Sequence, residues 1–359
     1  MKTSTEILNF QFSILNCSMP SGLDQLFAAA AKSGASDIHL AAGSPVVFRI
    51  DGALSEQGKK KLTAGDVERA VKAVLGAERF KAFEKCREMD SAYAVGDVRF
   101  RVNCHYEKEA PGLSARIIPQ EIPSVADVGL TDISASVCQL SNGLVLFTGP
   151  TGSGKSTSLA AILHEINQAR SEHIITLEDP VEFLFPEGKG IIRQRQYGSD
   201  FLSFPEALKR VLRQDPDIVM VGEMRDLETI GAALTLAETG HLVFATLHTP
   251  NASQTVDRIV DVFPPHQQQQ VRIQLSLALK AIVAQRLLPK EGGGRVAQRE
   301  ILVNTTAVAH IIRDNRAAEL KSVLQTGTAA GMVTFESDAK RLLKEGLISK
   351  ETYGWAKMG

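Results

Sequence analysis

The segment Gly149-Pro150-Thr151-Gly152-Ser153-Gly154-Lys155-Ser156 constrains this chain more than any other. It meets the pattern of a phosphate-binding P-loop (Gly, four residues, Gly-Lys-Ser) at every fixed position. Before it runs Leu144-Val145-Leu146-Phe147-Thr148, an apolar, β-prone stretch, and after it Thr157-Ser158-Leu159-Ala160-Ala161-Ile162-Leu163, which reads as the start of an amphipathic helix. A turn between strand and helix is the context a phosphate cradle needs; a surface glycine turn with an exposed lysine would need neither flank. Glycines let backbone N–H groups turn onto phosphate oxygens, and the helix N-terminus adds the positive end of its dipole. In such a cradle, completed by Thr157, Lys155 reaches the β- and γ-phosphates and the Ser156 hydroxyl suits Mg²⁺. The pattern implies a bound nucleotide, with Mg²⁺ beside its phosphates.

Three further apolar runs read as buried strands of a parallel sheet, since strands covered on both faces are continuously apolar rather than alternating. Ile174-Ile175-Thr176-Leu177 ends in Glu178-Asp179-Pro180-Val181-Glu182, Ile218-Val219-Met220-Val221 ends in Gly222-Glu223, and Leu242 to Leu247 ends in His248. Open α/β sheets bind ligands at the C-terminal ends of their strands. One cradle, two acidic groups and a histidine are therefore expected on one edge.

Triphosphate hydrolysis needs a carboxylate on the metal side and another to orient the attacking water. Glu223 ends its strand and is the metal-side candidate beside Ser156, whereas Asp217 lies at the wrong end of that strand. Pro180 disfavours helix at Asp179, so Glu178 to Glu182 forms an extended turn, and either Glu178 or Glu182 suits the water. His248 suits a hydrogen bond to the γ-phosphate. His241, just after Gly240, is as consistent with a satisfied structural histidine.

Within 359 residues, 44% hydrophobic and 23% charged, the expectation is a soluble globular chain of two domains or one with an appendage. A formal net charge of -1 gives no electrostatic case for direct nucleic-acid binding. Cys17, Cys86, Cys104 and Cys138 have neither zinc-site nor disulfide-framework spacing, which favours a reduced, cytosolic setting. No apolar run approaches the roughly 18 residues of a membrane helix. Residues 1–20 read as an N-terminal extension, with Met19 an alternative start.

Residues 21–118 mix helix and strand as a small α+β domain. Leu23–Lys32 is helical by composition, and residues 36–40 and 46–50 read as strands with Asp51-Gly52 as the turn that follows. Residues 63–75 and 78–86 have helical periodicity. Val98-Arg99-Phe100-Arg101-Val102-Asn103 alternates, with Arg99 and Arg101 on one face, and Gly112–Ile118 adds Arg116. Prolines 119 and 123 mark a linker over 119–130, and residues 131–359 form the second domain. After the glutamine run 267–270, residues 271–288 are expected to be helical. A short strand at 299–303 and helices near 306–313, 316–326 and 334–345 complete the chain.

Taken together, Gly149–Thr157, Ile175–Glu182, Arg213–Asp217 through Gly222–Asp226, and Thr239-Gly240-His241 through Leu247-His248-Thr249 resemble the Walker A, Asp, Walker B and His boxes of the secretion-type ATPases. Within that superfamily the chain is similar to the type IV pilus retraction ATPases, the PilT-like family, over roughly residues 21–350. The resemblance implies a PAS-like N-terminal domain, a RecA-like P-loop domain and a homohexamer binding ATP between domains. It implies Glu182 as catalytic base, Glu223 as the acid on the Mg²⁺ side, and Arg101 and Arg116 as arginines that approach phosphate. It further implies a cytoplasmic motor for pilus retraction, at most peripheral to the membrane, docking at its inner face on a pilus inner-membrane platform protein. The four-cysteine insert of assembly motors is absent. Retraction ATPases carry an Ala-Ile-Arg-Asn-Leu-Met/Ile box; the aligned Ala307-Val308-Ala309-His310-Ile311-Ile312 lacks its arginine and asparagine. The competing readings are an accessory retraction or secretion ATPase, a nucleotide-gated scaffold with little hydrolysis, and a RecA-like DNA motor.

Overall fold

The computed structural model describes residues 21–50, 52–118 and 121–357. The expected extension over 1–20 and Asp51 of the expected turn lie outside the described residues. The chain divides between Glu121 and Ile122 into two compact units.

In the first unit, six strands form one antiparallel sheet: β1 (Ala35–Ala41), β2 (Val46–Ile50), β3 (Ala53–Gln57), β4 (Glu88–Val95), β5 (Val98–Glu107) and β6 (Ala110–Ile118), in the order β3-β2-β1-β6-β5-β4. Phe100, Val102 and Cys104 point into the core from β5, leaving Arg101 exposed on the other face. Phe27 of helix Ser21–Lys32 packs edge-on to Phe100, ring centroids 4.6 Å apart. The two helical stretches expected from periodicity meet at Gly76, whose φ of 74° and ψ of 168° break Ala64–Cys86 in two. Thr63 caps the first with a reciprocal bond to Asp66, Asp66 N–H donating to Thr63 Oγ1 at 3.2 Å and Thr63 N–H to Asp66 Oδ2 at 2.8 Å. The unanticipated strands β3 and β4 are the two sheet edges. Strand β3 is exposed along most of its length, whereas β4 does alternate, turning Met89, Ser91, Tyr93 and Val95 toward the core.

The second unit is built on β7 (Gly143–Thr148), β8 (His173–Glu178), β9 (Ile191–Gln196), β10 (Ile218–Val221), β11 (Leu242–Leu247), β12 (Leu279–Pro289) and β13 (Arg295–Val303), in the order β13-β12-β7-β11-β10-β8-β9. Only the β12–β13 pairing is antiparallel. Every residue of β7, β10 and β11 is buried. Alternate residues of β7 enter different cores: Leu144 and Leu146 join one with helices Leu227–Glu238 and Ala252–Asp261, while Val145 and Phe147 join another with helix Lys155–Ala169. This is the mixed α/β, P-loop architecture expected from the apolar runs.

One expectation needs correcting. Residues 271–288 are not one helix: helix Pro265–Ala278 ends there and the chain continues as β12, paired with β7. The apolar run 281–284 fits helix and strand alike by periodicity, and pairing with β7 decides. The break between the units falls within the expected linker, whose residues 122–130 lie in the second unit, with Leu130 buried and Val125 and Val128 packed against that unit's core. Proline marks irregular backbone, and irregular backbone can still bury apolar side chains.

Candidate functional site

The parallel register aligns the strand ends: Leu247 pairs with Thr148, and Val221 with both Ala245 and Leu177. The P-loop, the turn after Glu178, Glu223 and His248 therefore leave one edge of the sheet from four neighbouring strands.

Gly149, Gly152 and Gly154 have φ of 139°, 76° and 84°, conformations L side chains rarely adopt. A Cβ at Gly149 would also collide with the carbonyl of Gln285 on β12. Thr151 and Gly152 are exposed, Ser156 and Thr157 are half-buried at the first turn of helix Lys155–Ala169, and Ser153 is buried. Lys155, 8% exposed, donates from Nζ to the carbonyls of Gly149 at 2.7 Å and Pro150 at 3.1 Å. Burial pulls its ammonium below its ordinary value, although Glu223 and Glu182 pull the other way. The loop fits a triphosphate: its glycines leave open backbone, its lysine supplies a cation, and the buried Ser153 Oγ has no hydrogen-bond partner among the described residues.

Glu178 is buried and fully engaged. It accepts from Thr176 Oγ1 at 2.6 Å, Gln194 Nε2 at 3.1 Å and the Glu182 N–H at 3.4 Å. Burial pushes its carboxyl above its ordinary value, against the Thr176 and Gln194 bonds. Glu182 is exposed at the far end of the same turn, past a cis Asp179–Pro180 bond. The two glutamates left open by the sequence thus differ: one braces the turn and the other is displayed by it.

Glu223 accepts from Arg225 Nη2 at 2.8 Å, and its Oε1 lies 3.0 Å from His248 Nε2. Burial pushes this carboxyl up, but Arg225 and His248 outweigh it, and it sits below its ordinary value. The Nδ1 of His248 is 3.4 Å from Thr151 Oγ1, so the imidazole spans from the acidic strand end to the P-loop. His241 belongs to the opposite end of the sheet, its Nδ1 3.2 Å from the Leu236 carbonyl. Asp217 is also at that end, where it accepts from the His173 N–H at 2.8 Å.

Arg101 and Arg116 lie in the first unit as direct cross-strand partners on β5 and β6. Arg116 Nε donates to Asp37 Oδ1 at 2.8 Å while most of its side chain stays exposed. Burial pushes the Asp37 carboxyl up, but Ser36 and Arg116 more than offset this. Among the described residues no carboxylate pairs with Arg101. Like charges directly opposite on a sheet repel, so this pair is suited to an anion.

Sequence reasoning missed two residues of the site. Arg225 closes the Glu223 carboxylate, and Gln285 forms the loop's floor. The signal for Gln285 was the β-prone run at 281–284, hidden by the helical pattern before it.

Comparison with known proteins identifies the family. The type II/IV secretion system protein family matches residues 18–329. PilT of Pseudomonas aeruginosa, a type IV pilus retraction ATPase, is 44% identical over 92% of this chain and 96% of its own. A twitching motility protein of Neisseria gonorrhoeae is 44% identical over 85% of this chain and 82% of its own. The crystal structure of the pilus retraction motor PilT with bound ADP superimposes with a TM-score of 0.86 at 44% identity, covering 93% of this chain and 96% of that one. The chain belongs to the type II/IV secretion system protein family and, within it, is PilT-like.

Proposed function

We propose that this protein is a hexameric ATPase motor that converts ATP hydrolysis into domain movement and drives retraction of a type IV pilus. The observation that carries the reading is the gathering of P-loop, Glu182, Glu223 and His248 at one sheet edge, with Arg225 and Thr151 as their hydrogen-bonded supports. Lys155 exchanges its own loop's carbonyls for the β- and γ-phosphate oxygens of ATP. Ser156 and Glu223 are the groups that would hold Mg²⁺, which when bound draws charge off the phosphates. Glu182 orients and deprotonates the attacking water, and Glu178 fixes the turn that presents it. Arg101 and Arg116 act on charge developing at the transferred phosphoryl group, from the same chain or from a ring neighbour. The motor is cytoplasmic and docks at the inner face of the membrane on a pilus platform protein. No helix among the described residues is long and apolar enough to cross a membrane.

A steady-state ATPase assay with Mg²⁺, with and without DNA, tests the chemistry. Hydrolysis stimulated by DNA would turn the reading toward a nucleic-acid motor, and negligible hydrolysis by assembled protein toward a scaffold. Deleting the gene and measuring pilus length and surface motility tests the role.

A second reading, an accessory retraction ATPase, is favoured by helix Thr306–Arg313. Val308, Ile311 and Ile312 are buried and keep the apolar pattern of the retraction box, whereas Ala309 is half-buried and His310 exposed where that box has arginine and asparagine. Expression in a host lacking its main retraction motor separates the two, since an accessory protein restores no retraction alone.

A further inference from the structure

We propose that Gln285 and Arg299 are positioning residues for the P-loop: Gln285 aims a phosphate-binding N–H, and Arg299 ties that aim to the segment through which the chain enters the second unit. This rests on the nucleotide reading of the loop given above.

Gln285 of β12 is 1% exposed and Arg299 of β13 is 3% exposed, and the two are register partners. Gln285 Nε2 donates to the Ser153 carbonyl at 2.6 Å. Its Oε1 accepts from Ser158 Oγ at 2.9 Å and from Arg299 Nε at 3.3 Å. Its backbone carbonyl lies under Gly149, and a Cβ at Gly154 would stand 3.0 Å from its amide nitrogen. A trans peptide is planar, with C=O and N–H pointing opposite ways. Holding the Ser153 carbonyl toward β12 therefore turns the Gly154 N–H away from β12, toward the open side of the loop. No group in the loop itself would fix that peptide plane, because Gly154 has no side chain and Ser153 Oγ makes no hydrogen bond among the described residues.

Arg299 holds Gln285 and reaches outward. Nη1 donates to the Gly129 carbonyl at 3.0 Å and Nη2 to the Val128 carbonyl at 2.6 Å, while Nη2 also lies 3.2 Å from Ser158 Oγ. Its backbone N–H donates to Asp338 Oδ2 of helix Phe335–Lys344 at 2.7 Å, and Asp338 Oδ1 accepts from Arg341 Nε at 2.9 Å. Burial pulls the guanidinium down to about 10, against the pull of Asp338, so it stays a cation near neutrality. A buried charge is a poor device for stability alone. Here its bonds run from residues 128–129, just past the break between the units, to the amide that sets the loop. A displacement of residues 128–129 is relayed to the Ser153–Gly154 peptide through two side chains.

The test uses the full chain and a matched control. Gln298 on β13 is equally buried but donates to the carbonyls of Phe335 and Ala356, away from the loop. Gln285→Leu and Gln298→Leu should lower the thermal midpoint by comparable amounts. Only Gln285→Leu should weaken Mg-ATP binding by calorimetry and raise KM, by about tenfold as expected for a lost buried hydrogen bond with its partner left unpaired. Arg299→Lys keeps the charge but loses the fork, and should weaken ATP binding by roughly threefold, non-additively with Gln285→Leu. Should Gln285→Leu not accumulate as folded protein, Gln285→Glu, which keeps the acceptor and loses the donor, carries the same comparison. ATP affinity within twofold of wild type in the Gln285 variants, or an equal loss in Gln298→Leu, overturns the proposal while Lys155→Ala still abolishes binding. Normal binding by Lys155→Ala would instead bring down the P-loop reading beneath it.

Discussion

His248 Nε2 stands 3.0 Å from Glu223 Oε1 while its Nδ1 faces Thr151 Oγ1 at 3.4 Å, so one imidazole joins the acidic strand end to the rim of the P-loop. The join matters because Glu223 and the loop leave strands that are not neighbours, β10 and β7, with β11 between them. His248→Ala should leave ATP affinity within about threefold and slow turnover by roughly tenfold, the scale of one lost positioning bond. Combined with Glu223→Gln, the losses should fall short of additive, as for groups in one network. Fully additive losses would mean that the histidine acts apart from Glu223.

Lys155 is the one cation of the cradle and is buried. Lys155→Ala should reduce ATP affinity by a factor on the order of 10² or more, since it removes charge-assisted bonds in a water-poor site. Near-native affinity in titration calorimetry would contradict the assignment of the loop.

The glutamates of the turn should separate kinetically. Glu182→Gln should bind ATP normally and turn over more slowly by a factor on the order of 10² or more, as for a positioned base. Glu178→Gln disturbs a carboxylate that accepts three hydrogen bonds, so its main effect should be a lower thermal midpoint with a smaller loss of turnover. Should Glu178→Gln prove the slower of two equally stable variants, the roles are reversed.

The Glu223 carboxyl is held below its ordinary value in the folded protein. Its contribution to stability is therefore present above the unfolded carboxylate range and is lost as pH falls through the lower folded value. The difference in thermal midpoint between wild type and Glu223→Gln should be largest near neutrality and shrink below about pH 4. A difference that widens on acidification would show that the Arg225–Glu223–His248 group does not stabilise the fold.

Arg101→Ala and Arg116→Ala should bind ATP yet hydrolyse it more slowly, by a factor on the order of 10² or more if they act on transition-state charge. Activity per subunit should rise with protein concentration as rings assemble. Light scattering that finds a fully active monomer, with both variants turning over normally, would defeat the ring and the role of the arginines together.

The reacting edge was legible because its strands are short, apolar throughout and end in chemistry-bearing residues: β10 and β11 occupy the stretches their composition indicated. The split of the first unit's long helix near Gly76 was legible for a similar reason, a periodicity that lapses. What escaped was set by pairing rather than by local pattern. β12 looks like the continuation of helix Pro265–Ala278 until β7 is beside it, and Gln285 went unnoticed with it. The edge strand β3 was missed because it is short and largely exposed, and β4 because its inward set, Met89, Ser91, Tyr93 and Val95, includes a polar residue that blurs an alternation the structure does show. The residues alone left Glu178 and Glu182 open as two glutamates of one turn, and only the family resemblance favoured Glu182; in the structure Glu178 is buried and bonded to Thr176 and Gln194, whereas Glu182 is exposed.

Helix Thr306–Arg313 turns Val308, Ile311 and Ile312 inward and His310 outward. Truncating one of the inward aliphatic residues costs about 2–5 kcal/mol, whereas an outward change usually stays within about 0.5 kcal/mol. The outer surface can therefore drift, one residue at a time, under a fold that barely registers the change. Descent from a common engine can then yield machines with the same fuel and different loads.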